Sequence, residues 1–256
     1  MQIYALAKPI IILAYYRMTF IKYKQYPGKL GLEHSPAGLW NFEGNLNDSS
    51  GNNFTLTGTP NKYTSRTWDF IEGASIDVAS LKRAHEDVLT ITGAITLEVI
   101  GTFVMFNAGQ VILEQGASGE SLATNYMYQW VIDTNGIPYV FWESGSGGTN
   151  RQVNADTRIN FYMPVYLAFT RTNSNPAVGT FYINGNLGGI DDDPPPEGGS
   201  SASFAIGGTI SNSSMCPRST VISSVRISPS VLSPNKIKAT YNECLAGISP
   251  FYPYLP

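Results

Sequence analysis

Residues 126–142 read YMYQWVIDTNGIPYVFW, and the pattern of this stretch decides the fold class. In both halves, large apolar side chains recur at every second position, which is the period of a half-buried β-strand. Asn135-Gly136 stands between the two halves. Such a pair is the strongest short-range signal of a hairpin, because both residues of a two-residue turn need positive φ. The stretch therefore predicts two antiparallel strands joined by a tight turn.

Short strand-like runs separated by turn-forming residues continue from Leu39 onward. A second Asn-Gly pair, Asn184-Gly185, follows the run 180–183 and predicts another hairpin. Loops are expected at 144–150 and 191–201, and the charged segment 82–87, which contains His85, is expected to be a solvated loop. The other predicted strands are 39–42, 68–70, 75–78, 95–103, 110–113, 165–171, 203–206 and 221–227.

A single helix is predicted, close to the C-terminus. Ser233 suits an N-cap, and Pro234 suits the first helical position. Ile237, Tyr241 and Leu245 then recur at helical spacing, and Gly247 can end the helix. Many short strands with one terminal helix predict an all-β fold, a two-sheet antiparallel sandwich of jelly-roll type.

Composition and charge exclude several classes of protein. The chain has 256 residues, enough to bury a sizeable core in one large all-β domain. Its formal net charge of −3 argues against a general nucleic-acid binder, which normally carries a large basic surplus. A hydrophobic content of 43% excludes a disordered chain and a membrane protein with many spans.

Cysteine and histidine usage leaves little room for metal chemistry. Cys216 and Cys244 can form one disulfide or remain two reduced thiols, and the sequence leaves both alternatives open. The histidines are His34 and His85, and neither lies in a Cys-His cluster. A zinc site is therefore not expected.

The predicted organisation is an N-terminal arm at residues 1–36, a sandwich domain at 37–247 and a Pro/Tyr-rich tail at 248–256. The arm contains the apolar run PIIILAYY at 9–16, which is too short to span a bilayer, and its charged residues are basic up to Glu33. An apolar arm needs a surface to cover it. It can add a strand to its own sheet or contact neighbouring subunits, and we expect the second for both arm and tail.

An ordered set of short motifs resembles a known superfamily. In chain order these are GLWNFEG at 38–44, NDSSGN at 47–52, WDF at 68–70, SIDV at 75–78, ITLEV at 95–99, TFYINGNL at 180–187, VRI at 225–227 and LS at 232–233. The set is similar to the laminin G-like, concanavalin A-like lectin-glucanase jelly-roll superfamily, over about residues 38–243. The resemblance implies a sandwich that binds glycans or proteins, serves as a spacer or, in some branches, hydrolyses glucans; it does not choose among them.

The carboxylates do not suit glycoside hydrolysis. A retaining glycosidase needs two carboxyl groups about 5–5.5 Å apart, and the related glucanases carry a Glu-x-Asp-x-x-Glu strand that this chain lacks. Glu98, Glu114 and Glu143 each stand alone in a predicted strand, and Glu86-Asp87 would point to opposite faces of one. No catalytic or cofactor-binding residue is predicted, and the protein is expected not to be an enzyme.

One loop has oxygen ligands of the kind that calcium prefers. Asp48, Asn47 and Asn52, with Asp77 as a further candidate, could converge on a cation. The favoured alternative is an Asx-turn, in which Asp48 bonds its own backbone. The acidic run 191–193 precedes three prolines and is expected to be a solvated connection. No metal site is predicted.

The hairpin at 126–142 also concentrates aromatic side chains that suit stacking on sugars. Alternation should bury half of them in the core and leave the other half facing outward, as a glycan platform or as packing beneath another segment. The six are Tyr126, Tyr128, Trp130, Tyr139, Phe141 and Trp142.

The sequence favours a non-enzymatic structural or adhesion protein of a phage virion, as a capsid decoration, neck or tail component. Catalytic groups are lacking, the start methionine precedes no usable signal peptide, and the apolar arm needs a partner. Such a protein would be assembled in the host cytoplasm in many copies, would contact neighbouring virion subunits through arm and tail, and could bind host-surface glycans. The alternatives are a carbohydrate-binding module of a bacterial surface or secreted protein and, disfavoured, a glucanase-type glycosidase.

Overall fold

The computed structural model describes residues 30–32, 35–60, 62–65, 72–76, 80–84, 86–116, 126–144, 149–174, 176–193, 203–210, 216 and 220–244. Within them the chain forms fourteen strands, one 3₁₀ turn (Asp87–Leu89) and one helix, α1 (Pro234–Cys244). The strands are β1 (Gly38–Trp40), β2 (Lys62–Ser65), β3 (Glu72–Ile76), β4 (Leu81–Arg83), β5 (Ile95–Thr102), β6 (Gln110–Gly116), β7 (Tyr126–Ile132), β8 (Pro138–Ser144), β9 (Thr149–Asn154), β10 (Pro164–Arg171), β11 (Ala177–Ile183), β12 (Asn186–Asp193), β13 (Ser203–Ile206) and β14 (Thr220–Ser228).

These strands form two antiparallel sheets. The eight-stranded sheet has the order β12-β11-β10-β5-β14-β3-β2, and β1 also pairs with β14. The six-stranded sheet has the order β4-β13-β6-β7-β8-β9. The predicted all-β sandwich of jelly-roll type with one short C-terminal helix is confirmed.

The main core lies between the two sheets. Trp40 stacks on Phe204 with ring centroids 5.2 Å apart, which joins β1 of one sheet to β13 of the other. The indole Nε1 of Trp40 donates to the carbonyl of Phe54 at 2.9 Å, so its polar atom is satisfied. Trp130 and Phe181 make a second aromatic contact across the core, at 6.3 Å. Burial of such aromatic side chains is the main stabilising contribution in a sandwich of this kind.

A second apolar cluster lies on the outer face of the eight-stranded sheet. The sheet contributes Leu39, Ile100 and Tyr166 to this cluster. The segment before α1 contributes Leu232, and α1 itself contributes Ile237. Ser233 caps the helix as predicted, because its Oγ accepts the backbone N–H of Lys236 at 3.4 Å. Helix α1 therefore covers this outer face; Leu245 and Gly247 lie outside the described residues.

The end of the predicted arm packs on this same face. Leu30 is only 1% exposed, and its N–H donates to Ser224 Oγ at 3.3 Å. Arg226 donates from Nη1 to the carbonyl of Gly31 at 3.0 Å. Residues 1–29 and the tail 248–256 lie outside the described residues, so the expected subunit contacts of arm and tail stay predictions. In the described part of the chain, no helix has both the length and the apolar content needed to cross a bilayer.

The two Asn-Gly pairs form different turns. Asn184 and Gly185 have φ of 51° and 71°, which confirms the two-residue turn predicted there. Of the other pair only Gly136 has positive φ, 82°, so the tight turn predicted at Asn135-Gly136 is wrong in type although the hairpin exists. The reason is Asp133, whose Oδ1 accepts the N–H groups of Asn135 at 2.8 Å and Ile137 at 2.7 Å and organises a longer loop.

Several expected loops are strands. The charged segment 82–87 begins within β4, and the acidic run 191–193 is the end of β12, paired with the first residues of β11. The loop expected at 144–150 overlaps the end of β8 and the start of β9. The predicted strand 68–70 and the residues His34, His85 and Asp77 lie outside the described residues. Cys216 is buried in the main core and Cys244 in the outer-face cluster, so the two form no disulfide with each other.

Candidate functional site

The outer faces of the two sheets differ. That of the eight-stranded sheet lies beneath α1 and Leu30. That of the six-stranded sheet carries partly exposed polar and aromatic side chains, and no helix within the described ranges packs on it. This second face is the candidate site.

Strand register places six side chains in one row across this face. Trp130, Val140 and Val153 point into the core, so their neighbours on β7, β8 and β9 point outward. Adjacent strands are about 4.8 Å apart, so the row spans about 24 Å. We call this the first row; its members, from β4 to β9, are Lys82, Ala205, Glu114, Gln129, Phe141 and Gln152.

A second row lies two residues along the strands, about 6.8 Å away. Its members are Val111, Val131, Tyr139 and Asn154. Tyr139 and Phe141 are therefore neighbours on one face of β8, and both are partly exposed. Burial, and then the nearby charge of Asp133, raises the pKa of the Tyr139 hydroxyl, so it stays protonated and can donate a hydrogen bond.

The amides around Phe141 are oriented by hydrogen bonds. Gln129 Nε2 donates to Glu114 Oε2 at 2.6 Å, and Gln152 Nε2 donates to Asn154 Oδ1 at 2.6 Å. Gln129 and Gln152 lie on the strands that flank β8, so an amide stands on each side of the Phe141 ring. Gln129 is partly exposed and Gln152 is exposed, so both can reach a ligand.

Glu114 fixes the centre of the first row. Its carboxylate is 2% exposed and also accepts the N–H of Ile210 at 2.8 Å, which holds the segment 207–210 over β6. Burial raises the pKa of Glu114, while the hydrogen bonds from Ile210 and Gln129 and the charge of Lys82 lower it in part. This carboxylate was expected from the sequence only to stand alone in its strand. In the structure it is a buried anchor for its neighbours.

The predicted aromatic platform divides as alternation requires. Trp130 and Tyr128 are buried in the core, at 0% and 4% exposure, and are not available to a ligand. Tyr139 and Phe141 are the outward-facing members. The side chains of Tyr126 and Trp142 lie outside the described ones.

The candidate calcium loop is an Asx-turn. The Asp48 carboxylate accepts the N–H groups of Leu39 and Ser50 at 2.9 Å each, that of Phe54 at 3.1 Å, and the hydroxyl of Ser50 at 2.7 Å. Asn52 donates to the carbonyl of Ala37 at 3.0 Å. The Asp48 oxygens therefore hold β1 and its loop together, which is the favoured alternative. Among the described residues no group of three or more His, Cys, Asp or Glu side chains is arranged to hold a metal ion.

Glu98 is buried on the opposite sheet. Its carboxylate accepts Arg226 Nε at 2.6 Å, Arg226 Nη2 at 2.7 Å and the Tyr166 hydroxyl at 2.7 Å, and both charged side chains are fully buried. Burial first, and then the charge of Glu98, raises the pKa of Tyr166. This cluster lies beneath the Leu30–α1 cover and is structural. The sequence signal that could have revealed it is an acidic residue in an otherwise apolar strand.

An aromatic ring between two amides suits a sugar. The apolar face of a pyranose ring can stack on an aromatic ring, while amide groups bond the hydroxyls at its edge. Glu114, Gln129 and Gln152 were not identified from the sequence as site residues, because they come from three strands whose register the sequence does not show. The outward position of Gln129, next to the buried Trp130, was the available signal.

Comparison with known proteins finds the fold but no family. No family model matches, and no curated protein matches. The CBM40 of Ruminococcus gnavus IT-sialidase, solved with α2,3-sialyllactose, is similar at 14% identity and a TM-score of 0.53, covering 65% of this chain and 95% of that one. The binding domain of botulinum neurotoxin serotype D/C VPI 5993 has 13% identity and a TM-score of 0.61, covering 84% of this chain and 53% of that one.

A related toxin structure, the serotype DC binding domain with rat synaptotagmin II, has 13% identity and a TM-score of 0.58, covering 81% of this chain and 51% of that one. The chain thus spans about half the length of the toxin binding domains it matches. At these identities the likeness shows a jelly-roll β-sandwich fold and nothing finer. The narrower laminin G-like assignment is not confirmed, and the similar structures are described as binding domains rather than catalytic ones.

Proposed function

We propose that this protein binds glycans without catalysis, through the outer face of the six-stranded sheet. The observation that carries the proposal is the partly exposed ring of Phe141, flanked in register by the amides of Gln129 and Gln152. A pyranose stacked on the ring would have its edge hydroxyls within reach of both amides. Tyr139 offers a second ring one step along β8, so a chain of sugars could continue there.

The same geometry predicts weak binding by each subunit. One aromatic stacking contact contributes about 0.5–1.5 kcal/mol beyond area burial, and a few neutral hydrogen bonds contribute about 1 kcal/mol each. The sum is close to the 4.1 kcal/mol that corresponds to a Kd of about 1 mM. Useful adhesion would then require several copies acting together, which can raise avidity by about 10²–10⁴-fold.

The comparisons support this reading at the level of the fold. The CBM40 that shares it was solved with sialyllactose, and one toxin binding domain was solved with SialylT. The carboxylate of Glu98 accepts hydrogen bonds from Arg226, and that of Asp48 accepts the Phe54 N–H. Both carboxylates therefore stabilise the fold. Binding is therefore a better account of the described residues than hydrolysis.

For the biological setting, we retain the proposal of a multi-copy adhesion protein of a phage virion. Its support is the composition of residues 1–29, which combine an apolar run with basic residues and suit contact with neighbouring subunits. The alternative is an extracellular module of a bacterial surface or secreted protein. Mass analysis of purified particles would find this chain in stoichiometric amounts in the first case and would miss it in the second.

The binding proposal is tested by calorimetry on the best ligand from a glycan array. Phe141→Ala should weaken binding at least tenfold, and its thermal transition is recorded so that binding is compared only at temperatures where the variant is folded. Tyr63→Ala is the matched control, since Tyr63 is an exposed aromatic, 38% exposed, on β2 of the other sheet. Loss of binding in the control alone, or in neither variant, contradicts the proposed site.

A further inference from the structure

The charges of the two rows are placed unevenly around Phe141. Lys82 is four strand spacings away, about 19 Å, and Glu114 is two spacings away, about 10 Å. At the end of the second row, burial and then the charge of Asp133 raise the pKa of Tyr139, so a carboxylate acts on that ring. Within this arrangement the carboxylates of Glu114 and Asp133 are thus nearer to the aromatic pair than the ammonium of Lys82 is, and exposed Arg158 lies beside the Asp133 loop.

Glu114 also decides which atom Gln129 offers to a ligand. A carboxylate only accepts hydrogen bonds, so the group of Gln129 that faces Glu114 must be its Nε2, at 2.6 Å. The amide is thereby turned so that its Oε1 points away from Glu114, and one N–H of Nε2 also remains. An oxygen acceptor beside Phe141 matches a ligand hydroxyl, which can donate. A ligand carboxylate cannot donate, so it would leave this oxygen unpaired and would also lie near the negative charge of Glu114.

We propose that this face takes uncharged, hydroxyl-rich sugars and discriminates against sugars bearing a carboxylate, with Glu114 acting as a specificity-determining residue through Gln129. The proposal rests on the proposed function and narrows it to a substrate class. It also separates this chain from the CBM40 with the same fold, which was solved with a sialylated ligand. Glu114 is a positioning residue, because it is buried and reaches the ligand only through Gln129 and its field.

The test compares pairs of glycans that differ only in sialic acid. A glycan array with such pairs comes first, followed by calorimetric titration of the strongest neutral binder and its sialylated partner. We expect the neutral member to bind at least about tenfold more tightly, a difference of about 1.4 kcal/mol. Glu114→Gln should bring the ratio to within about threefold of unity, because a glutamine has one oxygen for the Ile210 N–H and lets Gln129 turn its Nε2 toward the ligand.

A second measurement does not depend on a variant. Lowering the pH toward the raised pKa of Glu114 neutralises the carboxylate, so the neutral-to-sialylated ratio should fall in the wild-type protein. Among the described side chains on the strands and segment packed against Glu114, Lys82 is the other charged group that acts on it. Asp133 is common to the wild type and Glu114→Gln, so a purely structural role for Glu114 would give both proteins the same dependence of the ratio on pH.

The outcomes separate the inference from the proposed function. Preference for the sialylated member, or a ratio unchanged both by Glu114→Gln and by pH, overturns the inference and leaves glycan binding intact. Arg158→Gln is the control here, because exposed Arg158 lies beside the loop after β7, where Ile159 N–H donates to the Gly136 carbonyl. If Arg158→Gln abolishes binding of a sialylated glycan, the face takes anions and the inference is wrong. If no glycan binds, the proposed function fails as well.

Discussion

Arg226→Met should destabilise the domain strongly, because it leaves the Glu98 carboxylate buried without its cation. In the wild-type protein Arg226 donates twice to Glu98, at 2.6 and 2.7 Å, and once to the Gly31 carbonyl at 3.0 Å. Both charged side chains are fully buried, so solvent cannot replace the lost partner. After the substitution only the Tyr166 hydroxyl still donates to the carboxylate in the described contacts.

The expected magnitude follows from this geometry. Removing one partner of a buried ion pair costs about 3–5 kcal/mol, and the lost bond to Gly31 adds about 1 kcal/mol. A chain of this size changes its Tm by about 2–4 °C per kcal/mol, so a fall of about 8–24 °C is expected. The double variant Glu98→Met, Arg226→Met should recover most of the loss, because no unpaired charge remains.

Urea denaturation followed by tryptophan fluorescence gives the free energies for wild type, both single variants and the double variant. A matched m-value across the series is required, so that changes in midpoint report stability. The reasoning is refuted if Arg226→Met loses less than about 1 kcal/mol, or if the double variant is no more stable than the single one.

Three further predictions concern other parts of the structure. Asn184→Pro should cost about 3 kcal/mol or more of unfolding free energy, since proline cannot adopt positive φ and the N–H to the Tyr166 carbonyl is lost. Asn184→Gly should cost only about 1 kcal/mol, for the lost bond from the Tyr166 N–H to Asn184 Oδ1 at 3.0 Å. A proline variant as stable as the wild type would show that the turn is misassigned. Burial raises the pKa of Glu114, so the free energy of unfolding should fall as pH rises from the usual glutamate range through that raised pKa. Glu114→Gln should flatten this part of the plot of unfolding free energy against pH. An unchanged slope would contradict the burial of a titrating Glu114. In urea titrations, deleting residues 1–32 should lower the free energy of unfolding by about 2–4 kcal/mol more than deleting 1–29 does. The reason is that only the longer deletion removes the buried Leu30 and the Gly31 carbonyl. Equal losses would contradict the packing of Leu30 on the sheet.

Local patterns predicted the elements that carry a strong periodic or turn signal. The hairpin at 126–142, the Asn184-Gly185 turn and the Ser233 cap follow from residues close in sequence. Strand β9 was missed because its sequence, TNRQVN, contains a single apolar residue, Val153, which is the one that enters the core. The turn after β7 was mistyped because the Asp133 side chain, rather than the Asn-Gly pair, sets its hydrogen bonds.

The candidate site was predictable only in part. Alternation placed Tyr139 and Phe141 on the same face of the hairpin. Whether that face is the outer one depends on where the opposite sheet packs. Gln129 and Gln152 join Phe141 through strand register, and Glu114 reaches Ile210 across 96 positions in the chain. Strand register and long-range contacts are not visible in the local sequence. An aromatic platform could therefore be predicted, but the amides and the carboxylate beside it could not.

The central claim is that the outer face of the six-stranded sheet binds sugar, and amide chemical-shift mapping tests it most directly. The isotope-labelled protein is titrated with the strongest neutral glycan from the array. Shift changes that saturate together and centre on Gln129, Phe141 and Gln152, with weaker changes toward Tyr139, are the predicted result. Changes centred on α1, on the outer face of the eight-stranded sheet or on the Asp48 loop would contradict the account.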